Sequence, residues 1–167
     1  MTLDGYIARP DGAIDFLTVD EAGESVMQEF FSNIDVTIMG RKTAAAAKLQ
    51  GGIPETPGVK NYVFSRRWKA GQREGYEVVN SPLAPFVQKL KRRPGKNIYL
   101  TGGELARSFL KEDLVDELFI GLGPVLLGAG IPGFPPGFPQ RNFTLTKCES
   151  YSNGSIELRY ERTKKRG

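Results

Sequence analysis

Histidine is absent from this sequence. That removes the commonest metal ligand and the side chain that titrates most readily near neutral pH, so proton chemistry is left to Asp, Glu, Lys, Tyr or water. Cysteine is represented by Cys148 alone, which excludes a disulfide within the chain. Its alternating neighbourhood, with Phe143, Leu145 and Lys147, reads as a strand rather than as the setting of a nucleophile. No apolar run approaches the ~18–20 residues that a membrane span requires. The amino end, with Asp4 among its first residues, lacks the basic-then-apolar plan of a secretory signal, so a cytoplasmic protein with no membrane partner is expected. Excess charge is also small: the formal net charge is +4, much of it in Arg162, Lys164, Lys165 and Arg166. Such a cluster suits a solvated tail better than a nucleic-acid arm, and no nucleic-acid partner is expected.

With 167 residues, 40% apolar and 25% charged, the chain has material for one ordinary core, and residues 1–167 are read as one domain. Its most informative stretch runs from Lys96 to Leu110. Ile98 to Thr101 favour a strand, Gly102 and Gly103 break it, and Leu105, Ala106, Phe109 and Leu110 then recur at helical spacing. A strand ending at paired glycines before a helix aims bare backbone and unpaired N–H groups at one spot, where an anion such as a phosphate can approach. A tight turn without a ligand fits the same residues.

Similar junctions recur along the chain. Met1–Ala8 reads as the end of a strand, followed by a loop at Arg9–Gly12. Asp20 is placed to cap a helix over Glu21–Ser32, whose buried stripe is expected at Val26, Phe30 and Ile34. Val36–Met39 reads as a buried strand running into Gly40-Arg41-Lys42-Thr43 and an alanine-rich helix to about Leu49. Cations in a helix's first turn oppose its dipole, which makes better sense if an anion shares the site. Asn61–Ser65 reads as a third strand, ending at Ser65-Arg66-Arg67, and Tyr76–Val79 as a fourth. Ser81-Pro82 suits the start of a helix with Leu83, Phe86, Val87 and Leu90 inward. Val115–Leu122 reads as a further strand, and the glycine- and proline-rich loop at 123–139 is long enough to suggest a task. Phe143–Tyr151 and Ile156–Arg162 alternate around Ser152-Asn153-Gly154, a closing hairpin.

This order describes an open α/β sheet, mostly parallel, with helices on its faces and an antiparallel C-terminal edge. Ligands collect at the carboxyl ends of strands in such sheets. Three of those ends, at Gly40–Thr43, Ser65–Arg67 and Thr101–Gly103, carry phosphate-friendly groups, which together suggest a nucleotide with more than one phosphate position.

The ordered segments Leu3-Asp4-Gly5-Tyr6-Ile7-Ala8, Asp11-Gly12-Ala13-Ile14-Asp15-Phe16, Met39-Gly40-Arg41-Lys42-Thr43, Thr101-Gly102-Gly103, Leu114–Leu118 and Pro124–Gly128 resemble the dihydrofolate-reductase-like family that includes the reductase domain of the bifunctional riboflavin-biosynthesis deaminase-reductase. The resemblance covers nearly the whole chain. It implies a dihydrofolate-reductase-like fold that binds NADPH and passes a hydride to a small heterocycle, pterin or aminopyrimidine-like, in a homodimer. Gly40, Arg41, Lys42 and Thr43 match the motif holding the pyrophosphate and 2′-phosphate. Ser65 and Arg66 match the second group that reads the 2′-phosphate, which favours NADPH over NADH. Thr101, Gly102 and Gly103, with Glu104 and Leu105 after them, match the glycine turn under the pyrophosphate, joined in dihydrofolate reductases by a cis peptide. The nearest matches to the family's acid are Asp15 and Glu24, and Thr18 is a substrate-side candidate. The chain departs from the family in starting inside the usual first strand, in having Gly51-Gly52-Ile53-Pro54 where riboflavin reductases carry an Asp-Asp-Pro segment, and in lacking the deaminase domain. Those departures permit a second reading, a nucleotide-binding or regulatory protein without turnover.

Overall fold

A computed structural model describes residues 1–17, 21–49, 51–53 and 55–163. Its elements run β1 (Tyr6–Ala8), α1 (Glu21–Ser32), β2 (Ile34–Gly40), α2 (Arg41–Leu49), β3 (Lys60–Phe64), β4 (Gly71–Arg73), β5 (Tyr76–Val79), α3 (Leu83–Lys91), β6 (Asn97–Thr101), α4 (Gly103–Lys111), β7 (Glu117–Leu122), β8 (Ile131–Pro132), β9 (Phe143–Ser150) and β10 (Ile156–Arg162).

The largest sheet has the order β4-β5-β3-β2-β6. Its strands β5, β3, β2 and β6 are parallel, and β4 closes one edge antiparallel to β5. Parallel strands are covered on both faces, which is why β2, β3 and β5 read as runs of Val, Ile, Met, Tyr and Phe rather than as a strict alternation. On one face Ile38, Tyr62 and Val79 pack against Val87 and Leu90 of α3 and Phe109 of α4. On the other, Met39, Val63, Tyr76 and Val78 surround Ala44 of α2. Ile38 and Val63 are wholly buried, each worth about 1.5–3 kcal/mol of apolar transfer. The α/β class, the flanking helices and the closing hairpin stand as read from the sequence.

Several particulars differ. The C-terminal strands do not extend the parallel sheet but form a separate antiparallel one, β7-β10-β9. Between the two sheets lies α1, whose Phe30 stacks on Phe119 of β7 with ring centres 4.6 Å apart and meets Tyr99 of β6 edge-on at 5.3 Å. Ile34 opens β2 instead of completing the α1 stripe, and Val26 and Phe30 are only half-buried. Of Met1–Ala8, only Tyr6–Ala8 is a strand, antiparallel to β8, while Thr2 makes an isolated parallel bridge to Gly123. Strand β4 was not legible, because Gly71-Gln72-Arg73 is exposed throughout and has no apolar residue. Helix α3 starts directly after Ser81-Pro82, as read, with Pro82 as its N-cap and no side-chain cap bond. Asp20, expected to cap α1, lies outside the described residues.

Candidate active site

Sheet order decides what the strand ends can do together. In the register of the parallel strands Gly40 stands beside Phe64, Met39 beside Thr101 and Phe64 beside Val79. The carboxyl ends of β5, β3, β2 and β6 therefore form one row, each about 4.8 Å from the next. Asn80, Ser65-Arg66-Arg67, Arg41-Lys42-Thr43 and Gly102-Gly103 follow those ends in the same order. Three segments that lie far apart in sequence are adjacent because β2 sits between β3 and β6.

Within the row, Thr43 and Gly102 touch: a Cβ on Gly102 would collide with the Thr43 hydroxyl oxygen. Gly102 holds φ 98° and ψ 119°, a backbone shape that side chains resist, and its carbonyl accepts the first bond of α4 from Ala106 N–H at 3.0 Å. Gly40 faces Leu105 across the same junction, with 3.8 Å between the Leu105 Cβ and the place of a Cβ at 40. Gly103 is buried, and a Cβ there would stand 2.7 Å from the Pro132 carbonyl and 3.2 Å from the Pro135 ring. The loop at 123–139 thus packs on the amino end of α4. The cis peptide expected at the glycine pair is not present; Gly102–Gly103 is joined in trans.

Electrostatics single out the same row. Arg41 and Lys42 lie in the first turn of α2, where there is no acidic residue. Arg66 and Arg67 are exposed just past β3. Among the described residues the ion pairs engage other cations, including Arg9, Lys60, Lys91 and Arg107, and none takes up these four. Ser65 is buried, and its hydroxyl oxygen accepts the N–H groups of Arg67 at 3.1 Å and Trp68 at 2.9 Å. It therefore shapes the turn that presents Arg66, keeping one hydroxyl proton to donate. Glu104, in the first turn of α4, is paired with Arg107 at 2.6 Å, which neutralises the negative charge nearest the phosphate-friendly N–H groups.

The proposed acids are less gathered. Asp15 is exposed and gripped by Arg9 through two bonds of 2.6 and 3.1 Å. The guanidinium holds its carboxyl below the usual range, so Asp15 is an ionised acceptor at neutral pH. Glu24 is exposed near the start of α1. The other end of that helix meets the amino edge of β6, where Asn97 N–H donates to Asn33 at 3.0 Å, so Glu24 lies toward the carboxyl edge. Thr18 lies outside the described residues. Asn80, adjacent to Ser65 through the 3.0 Å bond from Ser65 N–H to the Val79 carbonyl, was missed because nothing in its sequence context marks it. Open depressions of about 280 Å³ around Asn61 and Gly75 and about 570 Å³ around Lys48 and Tyr76 lie at the opposite, amino end of the strands, away from these cations.

Known proteins resemble this chain over its length. YwjB of Bacillus subtilis (strain 168), whose own role is uncharacterized, is 33% identical over 164 residues, which is 97% of this chain and 94% of YwjB. A crystal structure from Shewanella sp. PV-4, provisionally assigned to riboflavin biosynthesis, superposes with a TM-score of 0.80 at 28% identity, covering 98% of this chain and 96% of that one. A pyrimidine reductase-like protein of Corynebacterium diphtheriae shares the fold, with a TM-score of 0.73 at 17% identity, covering 98% and 89%. The sequence pattern of the RibD C-terminal domain matches residues 1–156, and with the row of strand ends already described it shows that the chain belongs to the RibD C-terminal domain family.

Proposed function

We propose that this chain is an NADPH-dependent reductase that passes a hydride to a small pterin- or aminopyrimidine-like heterocycle. The observation that carries the reading is the row of Arg41, Lys42, Arg66 and Arg67 beside the amino ends of α2 and α4, with no carboxylate pairing those cations among the described residues. The residues present fit a phosphorylated dinucleotide. Arg41, Lys42 and Thr43, with the N–H groups of Gly103, Glu104 and Leu105, would hold a pyrophosphate, with Arg41 shared between it and the 2′-phosphate. Ser65, through its hydroxyl proton, and Arg66 would hold a 2′-phosphate one strand away, and Gly40 and Thr101, the last residues of β2 and β6, would border the cofactor. When bound, the nicotinamide supplies the hydride chemistry. Asp15, held ionised by Arg9, orients water rather than donating a proton directly, and Glu24 is the alternative carboxylate.

A fluorescence titration tests this reading. NADPH is expected to bind more tightly than NADH, and dihydrofolate or the aminopyrimidine ribitol precursor to drive its oxidation. Equal affinity for the two nucleotides would remove the 2′-phosphate assignment, and absence of binding would remove the reading. We further expect a cytoplasmic homodimer, for which fractionation and sedimentation velocity are the checks. No helix among the described residues is long and apolar enough to cross a membrane.

A further inference from the structure

The carboxylate of Asp4 reaches across the fold, to residues 123 and 124 positions further along the chain. It accepts the N–H groups of Leu127 at 3.1 Å and Gly128 at 2.7 Å, and the Thr2 hydroxyl at 2.6 Å. Thr2 is wholly buried, and its hydroxyl oxygen also accepts Tyr6 N–H at 3.0 Å, so the anchor under the carboxylate is rigid. Two further bonds sew the same strip of chain to the loop, from Leu3 N–H to the Val125 carbonyl and from Gly133 N–H to the Gly5 carbonyl, both at 2.9 Å. The β1–β8 pairing completes the seam. At its far side this loop places the Pro132 carbonyl and the buried Pro135 against Gly103, the first residue of α4. A loop rich in glycine has much conformational freedom to lose, and Asp4 is the one charged group among the described residues whose bonds to it are to successive backbone N–H groups.

We propose that Asp4 is a positioning residue for the phosphate-binding corner: by clamping Leu127 and Gly128 it fixes the loop against Gly103 and so sets the aim of the N–H groups at the amino end of α4. This rests on the cofactor reading given above. The clamp acts on the pyrophosphate corner, which NADPH and NADH share, and not on the 2′-phosphate.

Amide hydrogen exchange and nucleotide titration of Asp4→Asn and Asp4→Glu test it. In Asp4→Asn the amides of residues 125–135 are expected to exchange about tenfold faster or more, while Ile38 and Val63 keep their rates. The dissociation constants for NADPH and NADH should rise by the same factor, about three- to tenfold, with the binding stoichiometry and the NADPH preference unchanged. Asp4→Glu should recover part of both effects. Unchanged exchange at Leu127 and Gly128, acceleration across the whole chain, or faster loop exchange with unchanged nucleotide affinity would each overturn the proposal. If Asp4→Asn does not fold, protection of the Leu127 and Gly128 amides in the unmodified protein and its loss in Thr2→Val take its place. Unmodified protein that takes up neither nucleotide sinks the cofactor reading instead, and the clamp then stands or falls on the exchange data alone.

Discussion

Thr43 fills with its hydroxyl the space that a Cβ on Gly102 would need, so the first turns of α2 and α4 are in direct contact. Gly102→Ala meets two obstacles, the collision and the positive φ of 98°. A loss of about 2–4 kcal/mol is expected, read as a fall in the thermal midpoint. Thr43→Ala should relieve the collision but not the backbone strain. The double variant is therefore expected to recover part of the loss, and strict additivity in the mutant cycle would show that the two helix ends are independent.

Arg41 and Arg66 occupy adjacent strand ends, and neither has a carboxylate partner among the described residues. Replacing Arg66 by Ala should weaken NADPH about tenfold or more and leave NADH nearly unchanged, because a charged hydrogen bond to phosphate is lost only with the phosphorylated ribose. Arg41→Ala is expected to weaken both, NADPH the more. Isothermal titration of the four pairings of variant and nucleotide would reveal whether the discrimination follows Arg66.

Glu157, 3% exposed in β10, accepts Tyr151 Oη at 2.8 Å and is ion-paired with Lys147 at 3.1 Å and Arg159 at 2.5 Å. Burial works to raise its pKa, but those donors prevail and the net shift is downward. A depressed carboxylate stabilises the fold fully above its unfolded pKa and ceases to do so as pH falls through the folded value. Glu157→Gln should therefore cost about 2 kcal/mol at neutral pH, and the gap between the variant and the parent should narrow once the pH drops beneath the ordinary glutamate range and close as it passes through the depressed folded value.

Tyr151 provides the alkaline counterpart. Burial first, and then its bond to Glu157, push the phenol up to about 12. The stabilisation is present below the ordinary tyrosine pKa near 10 and is lost as pH rises through about 12. Tyrosinate absorbance should show a component that titrates near pH 12, and Tyr151→Phe should remove one phenol from that component.

These features were unequally legible. The strand, glycine, helix junctions at Gly40 and Gly102 were visible because apolar period and glycine placement are local signals, and β2, α2, β6 and α4 follow them. Convergence of the cations depended on strand order, which sequence pattern alone does not specify. The Asp4 contacts to Leu127 and Gly128 lie 123 and 124 residues apart, beyond any local rule. The separation of β7-β10-β9 from the main sheet was hidden for a related reason, since alternation shows that a residue belongs to a strand but not which edge it joins.

That separation has its own test. Strands β6 and β7 are linked through α4, yet β6 pairs with β2 and β7 with β10, and most of their apolar residues are only half-buried. Met1 N–H donates to the Gly121 carbonyl at 2.5 Å and Gly123 N–H to the Met1 carbonyl at 2.8 Å, the start of a ladder parallel to β7. The accessible surface is 10936 Å², against about 8,200 Å² for an average folded chain of this mass. Five alternating β-branched residues placed before Met1 are expected to continue that ladder and raise the thermal midpoint by about 5 °C or more, whereas a proline-interrupted extension should not. Equal midpoints would show that no additional strand is accommodated there.

The contact of Phe30 with Tyr99 and Phe119 also has a mechanical meaning. Main-chain ladders run within each sheet, whereas one helix face spans the space between β6 and β7. Stress on the molecule, thermal or applied, should therefore concentrate along that seam, so that the C-terminal hairpin with β7 parts as a unit before the parallel layers loosen.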